Sequence, residues 1–533
     1  MENMPKFNYK RTLLVGFAFF LICVFWQAYD NVIPKILTDK FGLSQTLSGI
    51  IMALDNILAL FLLPFFGALS DKKSSKLGKR TPFIIVGTVA AAVLFVALSF
   101  IDNAQLVKLE NVTPENYEQS LEIIYEADPE ISVDTGVKSG FSIGEAVKRV
   151  FSPDERRQSI SEIFPEKADF LSIKMLDENG KPTAHYTDYV VPARQAYAWT
   201  VTAESPATLI FFILLLLALL VSMGIFRSPA VALMPDVTIK PYRSKANAVI
   251  NLMGSIGGIS VLVLGIVFGT GKPEKMLMSY VPFFIVIAVI MLAALAVFLK
   301  TVKEPKWAEE MKSESKRLGL DNEEKSDEGN KKLSRSELAS LLFLLASVAL
   351  WYMGYNAVTS KYSVYAGSVL GMDYNTTLMI ATGAAIVSYF PIGIISSKIG
   401  RKKTILFGIV SLSAAFFFAA FMHSGSSVLV MNILFALAGI GWASINVNSY
   451  PMVVELAKGG NVGKYTGYYY TASMAAQVIT PVLSGIFLDV SLKALFPYAV
   501  IFTTLSFVTM LFVKHGDSRP DAIKTAIDAA GND

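Results

Sequence analysis

Twelve apolar runs dominate the 533-residue sequence, each close to the roughly 20 residues a helix needs to cross a bilayer. They lie near 12–35, 46–70, 82–101, 206–234, 246–270, 279–300, 337–362, 374–397, 404–423, 427–450, 466–488 and 495–513. Inside lipid every backbone polar group must be satisfied within its own segment, so runs of this length read as helices. The expected fold class is an all-α polytopic membrane protein with twelve transmembrane helices. Composition agrees: 53% of residues are hydrophobic and 17% charged, with mean hydropathy +0.50, where a soluble domain carries about 25% charged residues. This balance excludes an ordinary soluble enzyme and a disordered chain. A net charge of +4 from 47 basic and 43 acidic residues is too even to attract nucleic acid. The single cysteine, Cys23, and three scattered histidines, His185, His423 and His515, exclude an intrachain disulfide and offer no metal or haem site.

Lysine and arginine set the orientation. With the N-terminus inside, the inner segments hold 30 Lys and Arg, and the short outer loops hold six: Lys35, Lys40, Lys272, Lys275, Lys361 and Lys493. Both termini are therefore expected in the cytoplasm, with the chain in the cell membrane. The first run lacks a small-residue cleavage site and reads as a span, not a signal peptide.

Two segments interrupt the rhythm. Residues 303–335, rich in Ser, Glu and Lys, read as a solvated cytoplasmic linker. Residues 102–205, with 19 acidic and 10 basic residues, form an insertion between spans 3 and 4. Helical patterning at Glu115–Glu126 and Ile143–Val150 predicts helices. Leu171–Met175 and His185–Val191 read as strands around a turn at Glu178-Asn179-Gly180-Lys181. The insertion is expected to be a small α+β extracytoplasmic domain. The boundaries read as 1–101 (spans 1–3), 102–205 (insertion), 206–302 (spans 4–6), 303–335 (linker), 336–514 (spans 7–12) and 515–533 (tail).

The chain repeats itself. Span 2 ends in Gly67-Ala68-Leu69-Ser70-Asp71-Lys72 and then Gly78-Lys79-Arg80; span 8 ends in Gly393-Ile394-Ile395-Ser396-Ser397-Lys398 and then Gly400-Arg401. Span 4 ends in Met234-Pro235-Asp236 leading to Arg243, and span 10 in Pro451 and Glu455 leading to Lys464. Two six-span halves with matching loops are the plan of a carrier whose halves rock about a central site. Asp71, Arg80, Asp236, Arg243, Arg401 and Glu455 are accordingly read as gating residues.

Twelve spans in 6+6 form, with G-x-x-S-D followed by G-x-R, resemble the major facilitator superfamily. The stretch Pro64-Phe65-Phe66-Gly67-Ala68-Leu69-Ser70-Asp71, with Leu77-Gly78-Lys79-Arg80-Thr81-Pro82-Phe83-Ile84, is similar more narrowly to the sucrose-type and glycoside–pentoside–hexuronide cation symporters. Trp26 and Pro34 in span 1, and Pro229 with Ala232-Leu233-Met234-Pro235-Asp236 in span 4, add to that likeness. The resemblance implies alternating access, a sugar cargo and a coupling cation; it does not extend to 102–205. Plant-type sucrose carriers have an arginine where this chain has Val231, and Arg227 lies one turn earlier. Melibiose-type carriers place a sodium-binding aspartate near Leu62 and Leu63, and Asp55 lies about two turns further out. Neither the sucrose clamp nor the sodium site carries over.

A sugar site needs side chains that hydrogen-bond hydroxyls and aromatic faces that stack. A coupling proton needs an intramembrane carboxylate, which is costly in lipid and so faces the bundle interior. Asp30 and Asp55 are the candidate proton carriers. Trp26, Gln27 and Asn31 of span 1, Asn56 of span 2 and Arg227 of span 4 are candidate cargo ligands. So are Tyr352 and Asn356 of span 7, Trp442 and Asn446 of span 10, and Gln477 of span 11, one turn from Ser473. For each aromatic the competing role is packing; for Arg227 it is reaching out to water. Gly269-Thr270-Gly271-Lys272-Pro273 lacks the spacing of a phosphate loop, Gly254-Ser255-Ile256-Gly257 reads as close helix packing, and Asn111-Val112-Thr113 fits a glycosylation sequon.

The expected function is secondary transport: import of a sugar, a di- or oligosaccharide or glycoside, by proton symport. No catalytic group and no cofactor are expected. The coupling ion is a proton, with sodium as the alternative. The expected partners are the cargo, the cation and the bilayer, with no nucleic acid, and monomer is the default for this fold. A sodium-coupled symporter, an exporter of another small polar solute, and a sugar sensor that binds without flux remain open.

Overall fold

The computed structural model describes residues 7–73, 75–132, 157–178, 180, 182–239, 242–317, 333–456 and 462–517. Twelve long helices cross it. Spans 1–6 are Tyr9–Lys35, Gln45–Lys72, Thr81–Val107, Ala207–Asp236, Arg243–Phe268 and Val281–Thr301. Spans 7–12 are Arg335–Tyr365, Tyr374–Ile399, Arg401–Ala419, Val428–Val454, Val462–Val490 and Leu495–Leu511. Eleven helical stretches are long and apolar enough to cross a membrane; span 8, at 26 residues, has the length as well. The chain is a multi-pass membrane protein of the expected fold class.

Local sequence explains where the helices start. Ser44 accepts from the Leu47 amide at 3.2 Å and caps span 2. Ser334 and Glu337 form a reciprocal capping box at span 7, and Asp373 accepts from the Asn375 amide at 2.9 Å at span 8. These side chains satisfy orphan N–H groups of the first turn. Proline opens spans 3 and 6 at Pro82 and Pro282, where no amide proton is needed. Spans 1 and 7 each run on into a five-residue π-turn, Ile36–Lys40 and Ala366–Leu370. The repeat thus extends to an irregularity of the backbone.

Each half has its own apolar core, one built from spans 1–6 and one from spans 7–12. Without a hydrophobic drive between helices in lipid, close packing depends on small residues. The glycine cluster of span 5 supplies it: a Cβ at Gly257 would stand 2.6 Å from the Phe20 carbonyl of span 1.

The insertion joins spans 3 and 4 at one end of the bundle, the insertion end; the described termini lie at the other, the loop end. Helix Tyr117–Ala127 matches expectation. Strands Glu130–Ser132 and Arg157–Ser159 pair antiparallel, with Ile131 opposite Gln158. The strands expected at Leu171–Met175 and His185–Val191 are not formed. Leu171 ends the helix Lys167–Leu171, among the described residues Leu176 and Pro182 make a single bridge, and Tyr186–Val190 is a π-turn leading into the helix Val191–Glu204. Tyr186 and Val190, four residues apart, are both buried in the insertion's core, a helical spacing that outweighed β-branched composition. The helix expected at 143–150 and part of the 178–181 turn lie outside the described residues.

The 303–335 segment is not wholly a solvated linker. Glu304–Arg317 is a helix docked on the first half. Its Glu304 carboxylate is buried and accepts from the amides of Lys79, Arg80 and Thr81 at 2.6, 2.9 and 2.8 Å, capping span 3. Arg11 lies 4.5 Å from the centroid of the Trp307 ring and pairs with Glu310 at 2.8 Å.

The lysines counted as outer loop charges correct the sequence reading most. Lys35, Lys40 and Lys361 are 2%, 0% and 0% exposed. Lys40 pairs with Asp102 at 2.7 Å, both side chains fully buried, and also donates to the Met278 carbonyl at 2.7 Å. Removing one partner of such a pair leaves an uncompensated buried charge, at a cost of about 3–5 kcal/mol. Lys40→Met is therefore expected to lower stability by about that amount, read by thermal unfolding in detergent. Lys40→Met with Asp102→Leu should recover most of the loss, and a double variant as unstable as the single one would contradict this pairing.

Candidate functional site

A cavity of about 190 Å³ lies between the halves. The first half contributes Trp26 and Asp30 from span 1, Met52, Asp55 and Asn56 from span 2, and Arg227 from span 4. The second contributes Asn356, Thr359 and Ser360 from span 7 and Gln477 and Pro481 from span 11. Helical spacing explains the grouping: Trp26 and Asp30, Met52 and Asp55, Asn356 and Ser360, and Gln477 and Pro481 each recur after three or four residues on one face.

The Arg227 guanidinium stands over the Trp26 ring, 5.1 Å from its centroid. It lines the cavity. Asp55 Oδ1 accepts from the Asn56 amide at 2.5 Å and from Asn56 Nδ2 at 2.6 Å. The indole Nε1 of Trp26 and Nδ2 of Asn356 are buried donors without a partner, one from each half. A buried unpaired donor costs about 1–3 kcal/mol, so a rearrangement that brings either group to an acceptor is favoured. Two carboxylates, one guanidinium, three amides and two hydroxyls make a polar, hydrogen-bonding cavity inside an otherwise apolar bundle. Among the described residues no group of His, Cys, Asp and Glu is arranged to hold a metal ion.

Five expected ligands stand elsewhere. Gln27 faces span 5, its Oε1 3.2 Å from the Cβ position of Gly258. Asn31 is buried, 3% exposed, with Nδ2 unpartnered. Trp442 stacks flat on Tyr355 with ring centroids 3.7 Å apart, and Tyr352 meets the same indole edge-on at 5.3 Å. Asn446 is exposed and lies beside Tyr389 of span 8. The aromatics thus form a packed wall of the second half, the competing role for such residues in a span. Met52, Thr359, Ser360 and Pro481 were not expected; their only signal was a helical turn's distance from residues that were.

The loop residues form two matched clusters. Arg80 pairs with Asp71 and, at 2.7 Å through Nε, with Asp236; it also donates to Ser70. Arg401 pairs with Glu455 at 2.8 Å. Each cluster stays within its own half. The side chain of Arg243 lies outside the described residues.

Among the described residues, the hydrogen bonds that join the halves lie at the insertion end. Lys361 of span 7 donates to the Gln45 carbonyl at 3.0 Å and reaches Ser48 Oγ at 3.4 Å. Asp489 of span 11 accepts from the amides of Gln45 and Thr46, the latter at 2.9 Å, at the start of span 2. Thr270, between spans 5 and 6, bonds to Tyr374 at 2.8 Å and Asn375 at 3.1 Å of span 8, and its carbonyl accepts from Lys35 at 2.7 Å. The cavity is closed at this end. Sequence reasoning missed the closure because a lysine at the end of an apolar run looks like a loop charge. Lys35, Asp39 and Lys40 at helical spacing after Pro34 were the available sign of a helix continuing.

Comparison with known proteins agrees with this architecture. The family model for the Major Facilitator Superfamily matches residues 186–450 and 380–529, and that for MFS/sugar transport protein matches 14–107. An uncharacterized MFS-type transporter of Methanocaldococcus jannaschii is 27% identical over 189 residues, 34% of this chain and 45% of that protein. The match therefore spans less than half of that relative's length. The inward-open xylose transporter XylE from E. coli superposes with TM-score 0.53 at 14% identity over 95% of both chains. The peptide transporter POT in complex with sulfate gives 0.56 at 12% over 96% of both. A bacterial homologue of the iron transporter ferroportin, in its inward-facing state, gives 0.53 at 12% over 96% of this chain and all of that one. At such identities the shared feature is the fold.

Loosening the closed end should open a path to the cavity. In a Cys23→Ser background, a cysteine at Asn356 should react several-fold faster with a membrane-impermeant thiol reagent from the insertion side when Lys361→Ala is added. An unchanged rate would mean that Lys361 does not hold that end shut.

Proposed function

The chain belongs to the major facilitator superfamily, and on that footing we propose that it imports a sugar together with a proton by alternating access. The observation that carries the reading is the cavity's donor set. Carboxylates and amides match the alternating donors and acceptors of a sugar ring, and the two halves each contribute to that set. A cargo bridging the two walls would draw the halves together, which couples binding to movement. The sugar-transport family model over spans 1–3 supports the cargo class. The cavity's about 190 Å³ is below the roughly 300–1,000 Å³ of pockets for drug-sized ligands. In this state the cavity has room for one sugar ring, and a disaccharide requires a wider one.

The insertion end faces outward in this proposal. With Lys35, Lys40 and Lys361 buried, only Lys272, Lys275 and Lys493 remain as exposed lysines of the short loops at that end, which sharpens the positive-inside asymmetry. Both termini then lie in the cytoplasm. Asp30 takes its proton from outside, which removes a charge from dry surroundings and lets the loaded carrier close. Asp55, held by Asn56, stays charged opposite Arg227. The cavity then carries one net positive and one net negative group and is neutral when loaded. Inside, the cargo leaves, water reaches Asp30 and the proton follows.

Uptake should rise as the outside is acidified and fall as it is made alkaline, because the closing form is the protonated one. In proteoliposomes with an imposed pH gradient and a panel of labelled mono- and disaccharides, wild type should concentrate one sugar. Asp30→Asn should lose gradient-driven accumulation by at least about tenfold, the loss expected of a group required for coupling, yet keep counterflow exchange. Sugar binding without flux under proton or sodium gradients would favour the sensor. No binding at all would overturn the cargo assignment.

A further inference from the structure

The insertion touches both halves. On the first half it is built in. Gln195 donates to Asp39 at 2.8 Å, and Gln105 of span 3 donates to Thr202 at 2.9 Å. Gly42, at φ +66°, lies so close beneath the helix Val191–Glu204 that any Cβ would strike that helix's backbone. Arg194, 2% exposed, is sealed among Tyr186 and Met276, the latter from the loop between spans 5 and 6. These buried contacts make the insertion move as one body with spans 1–6.

On the second half the contact is thin. Ser424, between spans 9 and 10, donates to the Pro182 carbonyl at 2.5 Å. The Pro182 ring fills the space beside Gly371, where a Cβ would come within 2.6 Å of Cδ. Gly371 ends the π-turn that extends span 7, and the insertion's π-turn Tyr186–Val190 lies against that same turn. Thus one edge of the insertion crosses the seam between the halves, at the end where Lys361 and Asp489 also join them.

Halves that rock must part at this end in one phase of the cycle. The insertion cannot follow both. We propose that it is a strap: carried by the first half, it clasps the second through Pro182, and its release is a required step in opening the insertion end. The clasp adds its bonds only in the closed state, so it shifts the population toward closure. This role holds whatever the cargo or coupling ion, and it gives the insertion a part in the cycle that the twelve spans alone lack.

The test is a distance distribution in the full-length carrier, reconstituted in lipid with Cys23→Ser. Spin labels are placed at Leu47→Cys and Lys493→Cys, exposed positions on opposite halves at the insertion end. Pro182→Ala with Ser424→Ala should raise the long-distance population about two- to tenfold, the range expected from losing one net hydrogen bond and its packing. A folded double variant with an unchanged distribution would overturn the strap. Should the double variant fail to fold, Ser424→Ala alone leaves Pro182 in place and should give a smaller rise in the same direction. No rise there would equally overturn the proposal.

Discussion

Lys361 and Asp489 grip the start of span 2 from the opposite half. The other features of the insertion end depend on this joint. A fully buried ammonium and a half-buried carboxylate persist there only when their hydrogen bonds are met. The first turn of span 2 meets both: its free amides serve Asp489, and the Gln45 carbonyl and Ser48 hydroxyl serve Lys361. The same economy of partners recurs at Lys35 with Thr270 and at Lys40 with Asp102. Charge at this end is committed to fixed partners, so a change of state is an exchange of partners and not a gradual loosening. That property suits a carrier, which needs two discrete arrangements.

The loop end is organised differently. Arg80 with Asp71 and Asp236, and Arg401 with Glu455, each tie loops within one half. Glu304 adds a cap to the first cluster, from a segment that also ties span 1 through Arg11. The halves are therefore stiffened as bodies at one end and fastened to each other at the opposite end. The cavity, with Asp30, Asp55 and Arg227 on one wall and Asn356 and Gln477 on the other, lies between these two regimes. The insertion straddles the fastened end, anchored to one body and clasped to the other.

Much of this was legible in the sequence. Apolar runs located twelve spans because lipid demands continuous helices of fixed length. The paired G-x-x-S-D and Pro451–Glu455 loops disclosed the repeat. The polar stretch of span 1 put Trp26 and Asp30 among the candidates, and the scarcity of amides in apolar runs picked out Asn356 and Gln477. Three things were hidden, each for a physical reason. The aromatic run of spans 7 and 10 offered rings for stacking, but Tyr355 and Trp442 satisfy one another, which only the helix crossing decides. Lys35, Lys40 and Lys361 looked like loop charges because burial of a lysine depends on partners hundreds of residues away. Tyr186–Val190 looked like a strand because in so short a segment β-branched and aromatic composition is conspicuous while a helical period has too few residues to show.

The claim at the centre is that cargo and proton share one cavity and cross together. Cargo-driven proton movement tests it directly. Proteoliposomes with a pH-sensitive dye in the lumen and no imposed gradient would receive the transported sugar from outside. The proposal predicts lumenal acidification that starts with the sugar, scales with its uptake and disappears in Asp30→Asn. Sugar entry at full rate with no change in lumenal pH would contradict it.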